Sequence, residues 1–209
     1  MRVALDARDL ACERDDRWLF EALELQVRDG DMLRIEGANG SGKTTLLKIL
    51  TGQLSPQAGK LEWHGEPLRR VKDTFLRSLL FIGHAPGVAA ALNGQQNLAW
   101  SAAVAGVEAP SRAIDQALAG VGLAGFEDVP AAQLSAGQQR RIALARLALI
   151  PRPLWILDEP FTAIDKDGVG WLEQRLVDHA DRGGAVIMTT HHTFQANDRV
   201  NSVLLGAAG

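Results

Sequence analysis

The chain has 209 residues, 46% of them hydrophobic and 22% charged, with a formal net charge of −3. That is enough for one domain with an ample core, and it excludes a charge-driven grip on nucleic acid, which needs a basic excess. Cys12 is the single cysteine, MRVALDARDL lacks the apolar stretch of a secretory signal, and no run approaches the ~20 apolar residues of a membrane span. Any membrane role is therefore expected to come through a partner.

In chain order, residues 1–30 alternate weakly, as in Leu23-Glu24-Leu25-Gln26-Val27. This predicts antiparallel strands with polar turns at Asp15-Asp16 and Asp29-Gly30. Met32-Leu33-Arg34-Ile35 is a short strand, and residues 45–50 a helix. Between them lies G-A-N-G-S-G-K-T, residues 37–44. Residues 59–65 read as a strand bounded by glycines, and 79–82 as a buried strand ending at Gly83. From about 86 to 149 the chain is rich in Ala and Leu and mostly helical, broken near Pro110 and Pro130. Residues 154–157 and 185–188 are fully apolar strands, with an amphipathic helix over 169–180 between them. Continuous apolar strands separated by helices imply a mostly parallel sheet covered on both faces. The expected fold is α/β, with an antiparallel β subdomain and an inserted α-helical subdomain. One domain is expected over 1–209, with a core of about 1–85 and 150–209 and a helical subdomain of about 86–149.

The chemistry is concentrated in a few strings. G-A-N-G-S-G-K-T fits the phosphate-loop pattern, in which glycines let successive N–H groups turn inward on phosphate oxygens. Lys43 supplies a charge for the β- and γ-phosphates, Thr44 a hydroxyl for Mg²⁺, and the following helix its positive end. L-W-I-L-D-E, residues 154–159, sets two carboxylates at the C-terminal end of a buried strand, where open α/β sheets bind ligands. Asp158 is placed to hold Mg²⁺, directly or through water, and Glu159 to polarise an attacking water. L-S-A-G-Q, residues 134–138, makes Ser135 a helix N-cap with Gln138 at capping-box spacing, so a helix N-terminus faces outward. Arg140, Arg141 and Arg146 are expected to form a solvated helix face rather than phosphate contacts. Residues 85–91 read either as a shallow apolar groove for a partner helix or as internal helix packing.

These strings, followed by a lone histidine after an apolar strand, resemble the nucleotide-binding subunit of ATP-binding-cassette (ABC) transporters, over essentially the whole chain. L-S-x-G-Q is specific to that superfamily, whereas the phosphate loop alone is not. The resemblance implies the P-loop NTPase core of the ABC ATPases and a homodimer that sandwiches two ATP molecules head to tail. Each ATP, with Mg²⁺ on Thr44 and Asp158, would meet Gly37, Ala38, Asn39, Gly40, Ser41, Gly42, Lys43, Thr44 and Thr45 of one subunit. It would meet Ser135, Gly137 and Gln138 of the other. Asp165, in T-A-I-D, matches the loop that crosses the dimer interface. His191 matches the switch histidine that contacts the γ-phosphate, with His192 as the adjacent alternative. Glu159, His191 and Lys43 would carry catalysis.

Two positions depart from the family pattern. His84 stands where relatives usually have the glutamine that faces Mg²⁺ and nucleotide; imidazole suits Mg²⁺ poorly, so it acts through water or couples to a partner. The usual adenine-stacking aromatic is missing from residues 12–16, which leaves Arg14 or Trp18 for that role. C-E-R-D-D-R, I-G-H-A-P-G-V, L-A-G-F-E-D-V-P, Q-L-S-A-G-Q-Q-R-R and E-P-F-T-A-I-D together resemble the haem-exporter ATPase family of bacterial cytochrome c maturation. That narrower resemblance implies a peripheral protein on the cytoplasmic face of the inner membrane. Its partners would be a CcmB-like integral membrane permease subunit and further cytochrome c maturation proteins, and its hydrolysis would be linked to release of a haem-loaded chaperone. No C-x-x-C-H string for haem attachment is present. The alternatives are an ABC ATPase for another substrate, which only the membrane partner would distinguish, and a soluble ABC ATPase, which usually carries coiled-coil insertions or two cassettes. A non-hydrolysing clamp is disfavoured because such clamps commonly lose the carboxylate at Glu159.

Overall fold

The computed structural model describes residues 2–194 and 199–206. It divides into two compact units. The first comprises Met1–Phe81, Arg152–Glu159 and Asp178–Gly209, and the second Ile82–Pro151 and Pro160–Val177.

The first unit holds two sheets. In the antiparallel one, β1 (Ala4–Arg14) lies between β2 (Arg17–Arg28) and β4 (Ala58–Trp63), and β4 also pairs with the short β5 (Glu66–Pro67). The β1–β2 turn is at Asp15 and Asp16, both at positive φ, as a two-residue turn matching the twist of its strands requires. The second sheet has the order β6-β7-β8-β3-β9: β6 (Leu79–Ile82), β7 (Leu154–Asp158), β8 (Ala185–Thr189), β3 (Met32–Glu36) and β9 (Asn201–Leu204). The β7–β8, β8–β3 and β3–β9 pairs are parallel. Every residue of β7 and β8 is buried, which explains their unbroken apolar runs. β9 is a mostly exposed edge strand with no such run, and nothing in the sequence pattern announced it.

α1 (Lys43–Leu50) follows β3 and the phosphate loop. It buries Leu46, Leu47, Ile49 and Leu50, each side chain contributing about 1.5–3 kcal/mol when fully removed from water. These residues join Leu5, Leu33, Ile35, Ile156 and Ile187 in one core cluster. Cys12 is also buried there, and burial pushes its thiol pKa up, which marks an unreactive packing residue. α2 (Lys72–Ser78) leads directly into β6.

The second unit contains α3 (Gly94–Val104), α4 (Ser111–Gly120), a single 3-10 turn at Ala131–Gln133, α5 (Ala136–Leu149) and most of α6 (Lys166–Asp181). Regular helix begins only at Gly94, not near residue 86; residues 83–91 have no regular structure, and most of 84–91 is exposed. α6 starts three residues earlier than its apolar periodicity predicts. The cause is Asp165, whose carboxylate accepts the Gly168 N–H at 2.9 Å and supplies an N-cap.

Candidate active site

The phosphate loop is held open by its own backbone. Gly42 sits at the α1 N-cap with φ +94°, and a Cβ there would lie 2.9 Å from Leu19 Cβ, so β2 seals the slot that glycine leaves. The Lys43 ammonium folds back over the loop, donating to the carbonyls of Gly37 at 2.7 Å and Ala38 at 3.1 Å. The Ser41 hydroxyl is buried without a protein partner, an orphaned polar group of the kind that marks a site for a ligand oxygen. A cavity of about 430 Å³ opens beside the loop, lined by Arg34, Glu36, Gly37, Ala38, Lys43, Thr190, His191, Thr193 and Leu204. A cationic side chain, an orphaned hydroxyl and a glycine-rich cradle fit a polyphosphate.

Two strand ends complete this half of the site. Asp158, at the end of β7, is 2% exposed. It accepts hydrogen bonds from Thr189 Oγ1 at 2.7 Å and Thr44 Oγ1 at 3.1 Å. A carboxylate and a hydroxyl of this kind form an oxygen-only donor set, which fits Mg²⁺ with its remaining positions filled by water or phosphate. Glu159 follows in the left-handed region at φ +48°, a conformation that costs a non-glycine residue about 1–2 kcal/mol. Its N–H is anchored to Thr189 O at 3.1 Å and Thr189 Oγ1 at 2.9 Å. Its Oε1 lies 3.7 Å from His191 Nε2, too long for a direct hydrogen bond. His192 instead sets its ring edge against Phe194, with centroids 5.5 Å apart.

The second unit carries the remaining predicted residues. Ser135 and Gln138 form the expected capping box: Gln138 N–H donates to Ser135 Oγ at 3.2 Å, and Ser135 N–H to Gln138 Oε1 at 2.9 Å. Gly137 follows Ala136 in the first turn of α5, and a Cβ there would collide with the Ala163 carbonyl. Ala163 itself is held at φ +62°. Asp165 bonds the Gly168 N–H and pairs with Arg141 at 2.5 Å; these two contacts hold its carboxyl below the ordinary aspartate range. His84 is exposed.

The solvated arginine face expected on α5 is not there. Arg140 is 5% exposed, the Arg141 side chain 18%, and Arg146 is half-buried. α5 is apolar on most of its circumference, with Ile142, Ala143, Leu144, Ala145 and Leu147 buried. These long side chains therefore run inward and spend their donors on carbonyls and on Asp165.

The sequence model of the family described as ABC transporter matches residues 20–162. The CcmA cytochrome c biogenesis ATP-binding export protein of Salmonella typhi is 53% identical over 206 residues, covering 98% of both chains. The chain belongs to the ABC transporter family, among the CcmA proteins. The CcmA protein of Pseudomonas fluorescens (strain Pf0-1) is 56% identical over 185 residues, covering 88% of this chain and 87% of that one. Among solved structures, the ATP-binding subunit of an ABC transporter superposes with a TM-score of 0.86 at 24% identity, over 98% of this chain and 86% of that one, a likeness of fold.

In this ABC transporter family member, Thr189 is the site residue that motif reading missed. Its hydroxyl donates to Asp158 and accepts from the Glu159 N–H, so it holds the Asp158 carboxylate and the Glu159 backbone at once. The available signal was register: Thr189 ends β8 and pairs with Asp158 at the end of β7. Thr189→Val keeps the shape and removes one hydrogen bond from each residue. The expected cost is about 1–3 kcal/mol, a fall in Tm of roughly 2–12 °C for a chain of this size. Calorimetry checks it, and an unchanged Tm would make the hydroxyl dispensable.

Proposed function

We propose that this chain is the ATP-hydrolysing subunit of an ABC-type membrane complex in c-type cytochrome biogenesis. The observation that carries the hydrolytic part is the linkage Thr44–Asp158–Thr189–Glu159 beside the phosphate loop. It joins a phosphate-loop hydroxyl, a candidate metal-binding carboxylate and the backbone of a candidate base through one buried and two part-buried hydrogen bonds. In the proposed cycle the loop amides and Lys43 hold the phosphates, with Gly37 to Thr45 as the cradle. Thr44 and Asp158 would hold Mg²⁺, which would neutralise phosphate charge. Glu159 orients water in line with the γ-phosphorus, and His191 fixes the γ-phosphate end of the site. Positioning and charge stabilisation then supply most of the rate.

A second copy supplies the other wall of each site through Ser135, Gly137 and Gln138, with Asp165 in the crossing loop. ATP bridges the two copies and ADP does not, so hydrolysis opens the dimer by differential affinity. His84 belongs to the loop that faces the membrane subunit. No helix among the described residues is long and apolar enough to cross a membrane, so attachment to the cytoplasmic face of the inner membrane runs through a CcmB-like permease. The names of the CcmA relatives support the biogenesis role, which implies haem handling and release of a haem-loaded chaperone.

The test is purification of a tagged copy from membranes of a bacterium that makes c-type cytochromes. The expected result is an integral permease together with cytochrome-maturation components and a haem absorption band. An unrelated permease with none of these would remove the biogenesis assignment and leave the ATPase reading standing.

A further inference from the structure

Residues 83–91 form no helix or strand, so their backbone groups need partners from elsewhere. Three side chains of the second unit bond several of them. Arg140 Nη1 donates to Gly83 O at 2.6 Å and to His84 O at 3.4 Å. Arg146 Nη2 donates to Pro86 O at 2.8 Å, and its Nε to Ala143 O at 2.9 Å. Asn97, 4% exposed on α3, closes the far end: its Oδ1 accepts Ala89 N–H at 2.8 Å, and its Nδ2 donates to Ala89 O at 3.1 Å and Leu92 O at 3.2 Å. The two arginines are six positions apart on α5, about 9 Å along the axis, so they hold the loop at two points. Burial, and then the neighbouring Arg140, push the Arg146 pKa down to about 10. One buried and one half-buried cation on one helix, each aimed at loop carbonyls, make a stiff joint. His84 keeps its carbonyl tied while its side chain stays exposed.

We propose that Arg140 and Arg146 are positioning residues that clamp residues 83–86 to α5, so that engagement of nucleotide at Ser135 is transmitted to the His84 loop. The proposal rests on the ATP-bridged dimer described above. A bare helix-to-loop contact would only stabilise the unit; a rigid clamp makes the loop report on the state of the α5 N-terminus. The clamp thus names a route from the nucleotide to a loop that lies outside the nucleotide contacts of α5.

The test is hydrogen exchange on the full chain carrying Glu159→Gln, with and without MgATP. In that parent, MgATP is expected to slow exchange both at residues 135–139 and at residues 84–92, by about fivefold or more, the lower end of ordinary inter-site coupling. Adding Arg146→Met should leave the slowing at 135–139 and the ATP-dependent dimer intact while abolishing it at 84–92. Arg140→Lys keeps the charge but loses the planar fork, and should weaken the response at 84–92 in the same selective way. Retained protection at 84–92 in both variants overturns the clamp. Equal loss at both segments with a lower Tm also overturns it, because that is the signature of a merely structural role. A parent that neither dimerises nor gains protection at 135–139 refutes the dimer reading itself, and the transmission proposal with it.

Discussion

Glu159→Gln is expected to keep MgATP binding, to slow hydrolysis by roughly 10²–10⁴-fold, the range that a positioned general base contributes, and to accumulate dimer. The substitution is nearly isosteric. Glu159 is fixed through its backbone N–H to Thr189, and those two bonds do not involve the carboxylate. The left-handed backbone at φ +48° therefore persists, and the side chain still points toward His191. What is lost is the negative charge that, in the proposed role, polarises the attacking water. Phosphate release measures the first effect and size-exclusion chromatography with ATP the second. Undiminished steady-state hydrolysis would overturn the role assigned to Glu159.

Lys43→Met is expected to weaken MgATP binding by roughly 10²–10⁴-fold. Two charge-assisted contacts to phosphate at about 1.5–3 kcal/mol each give that range. Two consequences separate. The ammonium now bonds the carbonyls of Gly37 and Ala38 and shapes the loop across its mouth; methionine fills a similar volume without a donor. Lys43 is only partly buried and its ammonium bonds carbonyls within the loop, so the Thr44–Asp158–Thr189 linkage and the melting temperature should change little. Titration calorimetry gives the affinity. Wild-type affinity for MgATP in this variant would mean that the loop binds something other than the β- and γ-phosphates.

Much of the site was legible because its signals are local. The phosphate loop needs glycines and a lysine at fixed offsets. The Ser135 cap needs Gln138 three residues on, and both partners lie in one turn of chain. The Asp15-Asp16 turn and the apolar runs of β7 and β8 are equally short-range, since a turn or a doubly buried strand is written in consecutive residues.

Other features were illegible for the converse reason. Thr189 is 31 residues from Asp158 in sequence and meets it only because β7 and β8 pair in register. The arginines of α5 carry the same charge pattern whether they face water or carbonyls, and only the packing of Ile142, Leu144 and Leu147 around them decides which. Asp165 has one sequence position and a carboxylate that caps α6 and binds Arg141, which no motif states. By itself the sequence determined the chemistry on offer: where the lysine, hydroxyls and carboxylates proposed for phosphate, metal and water stand along the chain, and where most of the helices and strands lie. Tertiary structure alone decided which polar groups are desolvated and by whom they are satisfied, because burial and long-range hydrogen bonds depend on neighbours that chain order does not name.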